Sequence, residues 1–555
     1  MLDPTSGRES RRALADGLYA LSLLTFAVVA GHAILAPSVE SGAEPIQAAT
    51  RAERVAAVTV PAVSGAVDAS ARAIERAALP AEQAATPTGS MATPTPDARD
   101  AAAPSAGGAE TRAPAVTASI VPAQPAAIPP AREPDAELRL APTPTGETWP
   151  SSTVTGRVVN RDGKPLAGAS VVVRGIEVTT DAEGRFTVDR VAPDASLLVK
   201  LPGYAKTRVA PTRKPVEVTL KPQVIKAAYL TYYGIGSRTI RERVLDLTAR
   251  SELNAVVIDV KGDRGWILYP TEVPLAQAAG AQGPGTLRDF DTLMADLKAR
   301  GIYTIARIVT FKDNVLANHR PDLAIIDTRT GRPWIDREQL AWVDPFREEV
   351  WAYNIAIAKE AARRGFDEVQ FDYVRFPTDG KLSAARYSKP NSKDTRLPAI
   401  AGFLERARRE IGPTGAFVAA DIFGYTAFNE NDTDIGQRVE ELAPHLDFIC
   451  PMVYPSGYHK GIPGHPNPVA VPYKVVHESV RLIRKRAVPH VAQVRPWLQD
   501  FRDYAFGRKL FGVAEVQAQI RGSEEAGGSG WMLWNPRNVY TGEALRLDQN
   551  VAQAR

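Results

Sequence analysis

Short hydrophobic runs alternate with amphipathic helical stretches through the C-terminal part of the chain, from residue 225 to residue 550. The runs have the length and the β-branched content of buried strands. They lie at 227–233, 255–261, 303–309, 368–376, 416–423, 447–454, 490–498 and 530–535. Eight strands with helices between them, in a segment of this size, predict an α/β fold, the closed (β/α)8 barrel or TIM barrel.

A different hydrophobic pattern occupies residues 151–222. Runs such as TVTGRVVN, SVVVRG and RFTVDRV alternate apolar and polar positions, which is typical of half-buried strands. The dipeptides Asp162-Gly163 and Glu183-Gly184 are hairpin-turn signals. About seven such strands in this short segment predict a small N-terminal β-sandwich ahead of the barrel.

The first 36 residues carry the pattern of a membrane helix. Residues 17–36 contain no charged side chain unless His32 is protonated, and their number matches the length needed to cross a bilayer. Three arginines precede this segment and no Lys or Arg follows it before Arg51, so the positive-inside rule predicts that the rest of the chain is exported. We interpret residues 1–36 as a membrane anchor, with a cleaved signal segment or a buried globular helix as the alternatives.

Residues 37–150 are dominated by Ala, Pro, Thr, Ser and Gly, with Trp149 as their only aromatic residue. This composition offers little apolar area to offset the entropy of ordering the chain, so we expect a disordered linker. The predicted organisation is therefore an anchor (1–36), a linker (37–150), a β-sandwich (151–222) and a barrel (225–550). The linker would hold the barrel away from the membrane surface.

Charge and cysteine content narrow the classes of function. The chain has 67 basic and 63 acidic residues, and a net charge of +4 over 555 residues gives no field that would indicate a nucleic-acid partner. Cys450 is the only cysteine, which rules out an intramolecular disulfide and a cysteine-only zinc site. We expect no metal and no cofactor. A glycine turn at 234–236 imitates a dinucleotide-binding unit, but Thr239 stands where the third glycine should be.

Polar side chains at the C-terminal strand ends are the candidates for chemistry, because catalytic residues of such barrels project from that rim. Strand alternation places Gln370 and Asp372 on the interior face. Cleavage of a glycosidic bond needs two carboxyl groups, one to protonate the leaving oxygen and one to attack or stabilise the sugar. The candidate catalytic residues are Asp259, Asp372 and Asp421, and the candidate substrate-binding residues are Arg307, Gln370, Tyr454, Arg495, Trp497, Trp534 and Asn535.

The sequence leaves two choices for the catalytic pair among the three aspartates. Asp372 and Asp421 end neighbouring strands, whose spacing of about 4.8 Å approaches the ~5 to 5.5 Å carboxyl separation of a retaining glycosidase. Asp259 and Asp372 lie two strands apart, about 9 to 10 Å, which is near the separation of an inverting pair. For any one of these aspartates, a helix cap or an ion pair with Arg307, Arg375 or Arg495 is an equally good interpretation, but it is a poorer one for all three together.

Several strings carry a resemblance to known families. In this order, NAVVIDVKGDRG, EVQFDYVRFPTDG, VAADIFGYTA, DFICPMVYPSGY and GWMLWNP resemble a barrel family of uncharacterised bacterial and archaeal proteins whose name is putative glycosyl hydrolase. The resemblance covers roughly residues 227–550. The preceding segment, 153–221, resembles the carboxypeptidase regulatory-like domain through Gly156, Gly163, Phe186 and other turn and strand residues.

The barrel also resembles the alpha-amylase and alpha-galactosidase-like barrels, and this implies roles for two aspartates. An aspartate at the end of the fourth strand resembles their nucleophile, which would make Asp372 the nucleophile. An acid at the end of strand five or six resembles their proton donor, which would be Asp421. The sequence departs from the alpha-amylase pattern at Gln370, where that family carries arginine. Asp259 would orient the substrate or replace one of the pair.

We therefore expect an exported, membrane-anchored or secreted glycoside hydrolase that acts on a cell-envelope or extracellular polysaccharide. One alternative is a non-catalytic barrel that binds a glycan or a protein, and it predicts aspartates tied into salt bridges with no open cleft. Another is a metal-assisted carbohydrate deacetylase, and it predicts His and Asp ligands that converge on one site. The sequence pattern predicts no particular oligomeric state.

Overall fold

The computed structural model describes residues 152–547, except residues 193, 213 and 286. The predicted membrane anchor and the predicted linker lie outside the described residues. Within the described part of the chain, no helix combines the length and the apolar character needed to cross a membrane.

Seven strands form the small domain that precedes the barrel. They are β1 (Ser152–Val159), β2 (Ser170–Val173), β3 (Ile176–Thr179), β4 (Arg185–Val191), β5 (Leu197–Lys200), β6 (Thr207–Val209) and β7 (Val216–Thr219). One sheet has the order β4-β1-β7 and the other β3-β2-β5-β6, and both contribute to a single apolar core. At Gly156 a side chain would meet Val216 O at 2.4 Å and the Phe186 ring at 2.5 Å, so this position requires glycine. This is the architecture of the predicted β-sandwich.

Most of the remaining strands form a closed parallel barrel, which confirms the main fold prediction. They are β8 (Ile225–Leu230), β9 (Ala255–Lys261), β10 (Tyr303–Val309), β11 (Ile326–Asp327), β12 (Glu368–Asp372), β13 (Ala385–Arg386), β14 (Phe417–Phe423), β15 (Phe448–Met452), β16 (Gln493–Val494), β17 (Trp497–Gln499) and β18 (Gly530–Trp534). The order around the barrel is β8-β9-β10-β12-β14-β15-β17-β18, and β18 pairs with β8 to close it. The short strands β11 and β13 pair with each other outside the barrel.

Helices surround the barrel and cover its outer face. They are α1 (Tyr232–Gly236), α2 (Arg238–Arg250), α3 (Pro274–Ala278), α4 (Phe290–Ala299), α5 (Asn314–His319), α6 (Glu348–Arg363), α7 (Lys393–Ile411), α8 (Val439–Leu442), α9 (Pro472–Ala487) and α10 (Val513–Glu525). Outward-facing strand residues such as Val369 and Phe371 pack into the large core between strands and helices. Gln370 and Asp372 therefore face the interior, as strand alternation predicts.

Backbone geometry explains why two barrel strands end or break inside their hydrophobic runs. The fourth barrel strand ends at Asp372 because Tyr373 has a φ of 48°, a left-handed conformation that a strand cannot contain. The seventh run is split into β16 and β17, with Arg495 and Pro496 between them. Proline has no N–H to donate to a sheet ladder, so it interrupts the strand at this point.

The N-terminal half of the barrel interior is closed by a buried ion pair. Arg495 and Glu368 are both fully buried, and Nη1 of Arg495 donates to Oε2 of Glu368 at 3.1 Å. Tyr303 donates its hydroxyl to the same oxygen at 3.0 Å, and the Arg495 guanidinium lies 4.3 Å from the centroid of the Phe448 ring. Arg495 was a candidate for substrate binding at the rim, but its side chain points into the opposite half of the barrel, where it neutralises Glu368.

The β-sandwich contacts the N-terminal face of the barrel. Lys200 donates to the carbonyl of Ala416, just before β14, and Lys206 donates to the carbonyl of Asp367, just before β12, both at 2.6 Å. Glu177 accepts two hydrogen bonds from Arg408 of α7, at 2.9 and 3.0 Å. The sandwich therefore sits at the end of the barrel opposite the C-terminal rim.

We expect that Arg495→Met lowers the free energy of unfolding of the barrel by about 3 to 5 kcal/mol, because it leaves the buried Glu368 carboxylate without its cation. Urea unfolding followed by tryptophan fluorescence measures this change. The control is Arg329→Met, which removes the exposed partner of Asp327 and should cost much less, because a solvent-exposed ion pair contributes little to stability. A loss no larger for Arg495→Met than for Arg329→Met would contradict the assignment.

Candidate active site

Four neighbouring strands bring the charged interior residues of the rim together. Asp259 lies near the C-terminal end of β9 and Arg307 lies on β10. Asp372 is the last residue of β12, and Asp421 lies on β14. Arg307 is opposite Asp259 in the β9–β10 register. In the β12–β14 register Phe371 is opposite Ala420, so the next position along sets Asp372 beside Asp421. The parallel register thus places all three predicted aspartates at one end of the barrel.

Arg307 is the centre of this group. Its Nη1 donates to Asp259 Oδ1 at 2.6 Å, while its Nε and Nη2 both donate to Asp372 Oδ2, at 2.9 and 2.6 Å. Nη2 also lies 3.4 Å from Asp263 Oδ1. Burial alone would lower the pKa of Arg307, but the carboxylates of Asp259 and Asp372 raise it well above its ordinary value. One permanently charged guanidinium therefore joins two of the predicted catalytic residues.

Asp372 receives hydrogen bonds at both carboxylate oxygens. Oδ2 accepts the two bonds from Arg307, and Oδ1 accepts the backbone N–H of Tyr373 at 2.6 Å. Three N–H donors therefore fix the orientation of this carboxyl group. The left-handed conformation of Tyr373 aims this N–H, and such a conformation in a non-glycine residue costs on the order of 1 to 3 kcal/mol, which is typical of functional sites.

Asp421 lies in a different environment. Its Oδ1 accepts the indole N–H of Trp497 at 2.7 Å, whereas its Oδ2 is buried without a hydrogen-bond partner among the described residues. Burial, and then the neighbouring Asp372 carboxylate, raise the pKa of Asp421 well above its usual range. These causes favour a protonated carboxyl group whose O–H is not used by the protein.

Asp259 is more fully engaged than either of these. Its Oδ1 accepts from Arg307, and its Oδ2 accepts the Tyr229 hydroxyl at 2.5 Å and the Tyr232 backbone N–H at 3.2 Å. Burial raises its pKa, and Arg307 opposes that effect. With both oxygens bonded within the protein, Asp259 is placed to hold Arg307.

Three predicted aromatic residues lie close to the aspartates. Trp497 bonds Asp421 directly, and the burial of Tyr454, followed by the charges of Asp421 and Asp372, raises the pKa of its hydroxyl. Trp534 stacks on Tyr229 with ring centroids 4.0 Å apart and lies under the Arg307 guanidinium at 5.2 Å. Trp534 is half-buried and its indole N–H has no partner in the described part of the chain.

Other predicted substrate-binding residues are placed differently. Gln370 lies one layer below Asp372 and its Nε2 contacts Met532 Sδ at 3.5 Å, inside the barrel. Asn535 donates to the carbonyl of Asp500 at 2.5 Å and accepts the Arg537 N–H, so it holds the loop after β18. Arg495 lies in the opposite half of the interior. The rim cluster therefore combines Arg307, Tyr454, Trp497 and Trp534 with the aspartates.

Two residues that contact the cluster were absent from the predicted set. Tyr229 bonds Asp259, and Asp263 approaches Arg307. Each had a signal in the sequence: Tyr229 lies in the first predicted strand, and Asp263 follows Asp259 by four positions in IDVKGDRG. Neither signal says that the residue reaches Arg307, because that depends on how the strands are arranged around the barrel.

The cavities and the possible metal-binding groups bear on the two alternatives to a hydrolase, the non-catalytic barrel and the metal-assisted deacetylase. Two cavities, of about 650 and 340 Å³, lie away from the rim, one between the sandwich and the barrel and one beside α2. Within residues 152–547 as described, no group of three or more His, Cys, Asp or Glu side chains has the arrangement of a metal site. The ion pair of Asp372 with Arg307 is what a non-catalytic barrel predicts, whereas the unpartnered Oδ2 of Asp421 is not.

Comparison with protein families gives a match over residues 227–540 to the family described as "Putative glycosyl hydrolase domain". The chain belongs to this family. Residues 153–224 match the carboxypeptidase regulatory-like domain. Both agree with the resemblances expected from the sequence, and the family description makes the barrel a glycosyl hydrolase-type domain.

Solved structures that are similar to the chain include a hypothetical protein, a glycoside hydrolase domain and a chitinase. A hypothetical protein from Ruminiclostridium thermocellum ATCC 27405 is 34% identical with a TM-score of 0.31, over 35% of this chain and 96% of that one. The PgaB (BpsB) glycoside hydrolase domain from Bordetella bronchiseptica is 14% identical with a TM-score of 0.42, over 57% and 95% of the two chains. A chitinase from Chromobacterium violaceum ATCC 12472 is 11% identical with a TM-score of 0.36, over 58% and 97%. A comparison with curated proteins gave no match.

The raised pKa of Asp421 predicts a pH-dependent effect of Asp421→Asn on stability. At a pH below about 3.9, the ordinary aspartate value, Asp421 is protonated in both the folded and the unfolded chain. As the pH rises from there towards the raised folded pKa, only the unfolded chain loses the proton, so the native protein loses stability. Asp421→Asn cannot titrate, so it should match the native protein near pH 4 and become increasingly more stable towards pH 7.

Thermal unfolding midpoints of the two proteins at several pH values between 4 and 7 measure this difference. The matched control is Asp246→Asn, an exposed aspartate on α2, whose midpoint should run parallel to that of the native protein. A constant offset between Asp421→Asn and the native protein across the range would show that Asp421 is ionised throughout.

Proposed function

We propose that the chain is a glycoside hydrolase that cleaves a cell-envelope or extracellular polysaccharide with retention of configuration. Asp372 acts as the nucleophile and Asp421 as the general acid and base. The observation that carries this proposal is the contrast between two adjacent carboxyl groups. Asp372 accepts three N–H donors, whereas Asp421 is buried with one oxygen free and a raised pKa. Family membership supports the same reaction class.

The first half of the reaction uses both groups at once. Asp421 gives its proton to the glycosidic oxygen, the bond from that oxygen to the anomeric carbon breaks, and the leaving chain departs as an alcohol. A carboxylate oxygen of Asp372 forms a bond to the anomeric carbon. The product is a glycosyl ester of Asp372 and an ionised Asp421.

The second half returns both groups to their starting states. Formation of the ester removes the negative charge of Asp372, which is one of the causes that raise the pKa of Asp421. The pKa of Asp421 therefore falls at the stage where this residue must act as a base. Asp421 takes a proton from water, the water oxygen attacks the anomeric carbon, and Asp372 leaves as a carboxylate.

Arg307 and the aromatic residues supply orientation. Arg307 holds Asp372 through two hydrogen bonds and is itself held by Asp259, so Asp259 acts as a positioning residue. Trp534 offers a half-exposed ring, which suits the face of a sugar ring. Tyr454 and Trp497 would line the substrate-binding site on the side of Asp421.

A non-catalytic glycan-binding barrel is the second candidate, and the buried ion pair of Asp372 with Arg307 favours it. Under this alternative Arg307 and the aspartates stabilise the rim, and sugar binding rests on the aromatic residues. The two candidates differ in what happens to the bound glycan.

We expect Asp372→Asn to abolish turnover and Asp421→Asn to lower kcat by about 10² to 10⁴-fold on substrates with a poor leaving group, because the first removes the nucleophile and the second the general acid. Reducing-sugar release from a panel of bacterial polysaccharides measures turnover, and NMR of the first product reports the anomeric configuration. Asp246→Asn serves as the folded, active control. Full activity of Asp372→Asn would end the hydrolase proposal, and an inverted product would reassign the pair to Asp259 and Asp372.

The choice of an envelope polysaccharide depends on the predicted export of the barrel, which follows from residues 1–36. In cells that express the full chain, we expect added protease to reach the barrel once the outer layer of the cell envelope is permeabilised. We also expect the barrel to sediment with membranes. A chain that lacks residues 1–36 should stay protected and soluble. Protection of the full-length barrel would contradict export, and an accessible barrel that does not sediment would indicate cleavage of the N-terminal segment.

A further inference from the structure

Arg375 is a second buried arginine at the rim, three positions after Asp372. Only 6% of it is exposed. Its guanidinium carbon lies 5.1, 5.0 and 4.7 Å from the ring centroids of Trp342, Tyr373 and Phe423. Phe423 ends β14 two positions beyond Asp421, and Tyr373 adjoins Asp372. Arg375 is therefore held by aromatic faces next to both members of the candidate catalytic pair.

The guanidinium uses only one of its three nitrogens within the protein. Nη1 donates to the carbonyl of Phe376 at 2.9 Å and to the Thr378 hydroxyl at 3.2 Å. Nε and Nη2 make no hydrogen bond to any residue that the structure describes, and neither is sealed among the buried unpartnered atoms. By contrast, the buried Arg307 and Arg495 of the barrel interior each contact a carboxylate directly.

The electrostatic environment of Arg375 is also unbalanced. Burial lowers the pKa of its guanidinium, and the nearby Tyr373, Asp379 and Asp372 do not fully offset this effect. No carboxylate oxygen of the described chain comes within ion-pair distance of Arg375, as one does for Arg307. A buried cation without a direct partner is costly, so an anion that bound there would gain more than a screened surface pair does.

The free edge of Arg375 has a defined shape. Nε and Nη2 lie on the same side of the guanidinium and match the two oxygens of a carboxylate. Elsewhere in this chain the same two nitrogens donate to carboxylates. Nε and Nη2 of Arg329 donate to Asp327 at 3.0 and 2.6 Å, and those of Arg486 donate to Glu440, both at 2.7 Å. At Arg375 this edge is unoccupied by protein.

We propose that Arg375 binds a carboxylate carried by the substrate, so that the glycan recognised at this rim is an acidic polysaccharide with its carboxylate next to the bond that Asp372 and Asp421 act on. The position of that bond rests on the proposed function, whereas the binding of an acidic sugar does not. Sugars bearing a carboxylate on the ring and sugars bearing one on an ether side chain share this chemistry.

Binding to matched acidic and neutral glycans tests the proposal. The probes are oligosaccharides of polygalacturonate, alginate and hyaluronan, and muramic acid-containing glycan strands with free lactyl carboxylates, each compared with its carboxyl-reduced form by isothermal titration calorimetry on the full chain. We expect at least one acidic probe to bind about 10 to 100-fold more tightly than its reduced form, the range for hydrogen bonds to a charged group. Which probe it is distinguishes ring from ether carboxylates.

Variants of the protein complete the test. Arg375→Gln should lose most of the preference for the acidic form, and Arg375→Lys should keep a part of it, because lysine retains the charge but not the two-donor edge. The control is Arg337→Gln, which removes one positive charge from an exposed position in a neighbouring loop and should keep the preference. If Arg375→Gln does not fold, the comparison of acidic and reduced probes on the native chain still decides the question.

The proposal is overturned if the native chain binds acidic and reduced forms alike, or if it binds none of the acidic probes. It is also overturned if Arg375→Gln retains the full preference, or if dextran sulfate binds more tightly than every carboxylated probe.

Failure of the hydrolase proposal is a separate result. A chain that binds an acidic glycan through Arg375 and leaves it uncleaved supports the carboxylate site and rejects the enzyme. A chain that cleaves only neutral glycans, and binds only these, supports the enzyme and rejects the carboxylate site.

Discussion

The buried guanidinium of Arg307 is the interaction on which the arrangement of the rim depends. Enclosing a cation in a barrel is expensive unless carboxylates surround it with good geometry, and here Asp259 and Asp372 contact it at 2.6 Å. This requirement fixes Asp372 in one orientation and engages both oxygens of Asp259. It also leaves Asp421, on the next strand, without a cation of its own.

The closed barrel separates the polar interior into two halves with different consequences. In the N-terminal half, Arg495 and Glu368 neutralise each other completely, and the β-sandwich contacts the adjoining loops. In the C-terminal half, one carboxyl oxygen on Asp421 and one edge of Arg375 remain without protein partners in the described chain. Such a division, with stability at one end and chemistry at the other, is the usual plan of this fold.

Small differences in surroundings give similar side chains different chemistry. Asp372 and Asp421 face the same interior from adjacent strands, yet one receives three N–H donors and the other one indole N–H. The charge of the first also raises the pKa of the second, so the two groups act as a coupled pair. The aromatic residues contribute by excluding water, which strengthens each of these effects.

Periodicity along the chain was enough to predict the eight strands, the barrel, and the inward direction of Gln370 and Asp372, because it depends on residues that are neighbours in the chain. It could not distinguish the arginines near the strand ends. Arg495 meets Glu368 across 127 positions and Arg307 meets Asp372 across 65, and these partners are chosen only when the barrel closes. The raised pKa of Asp421 likewise depends on the tertiary structure, since burial and the charge on a neighbouring strand are properties of the folded interior and not of any segment.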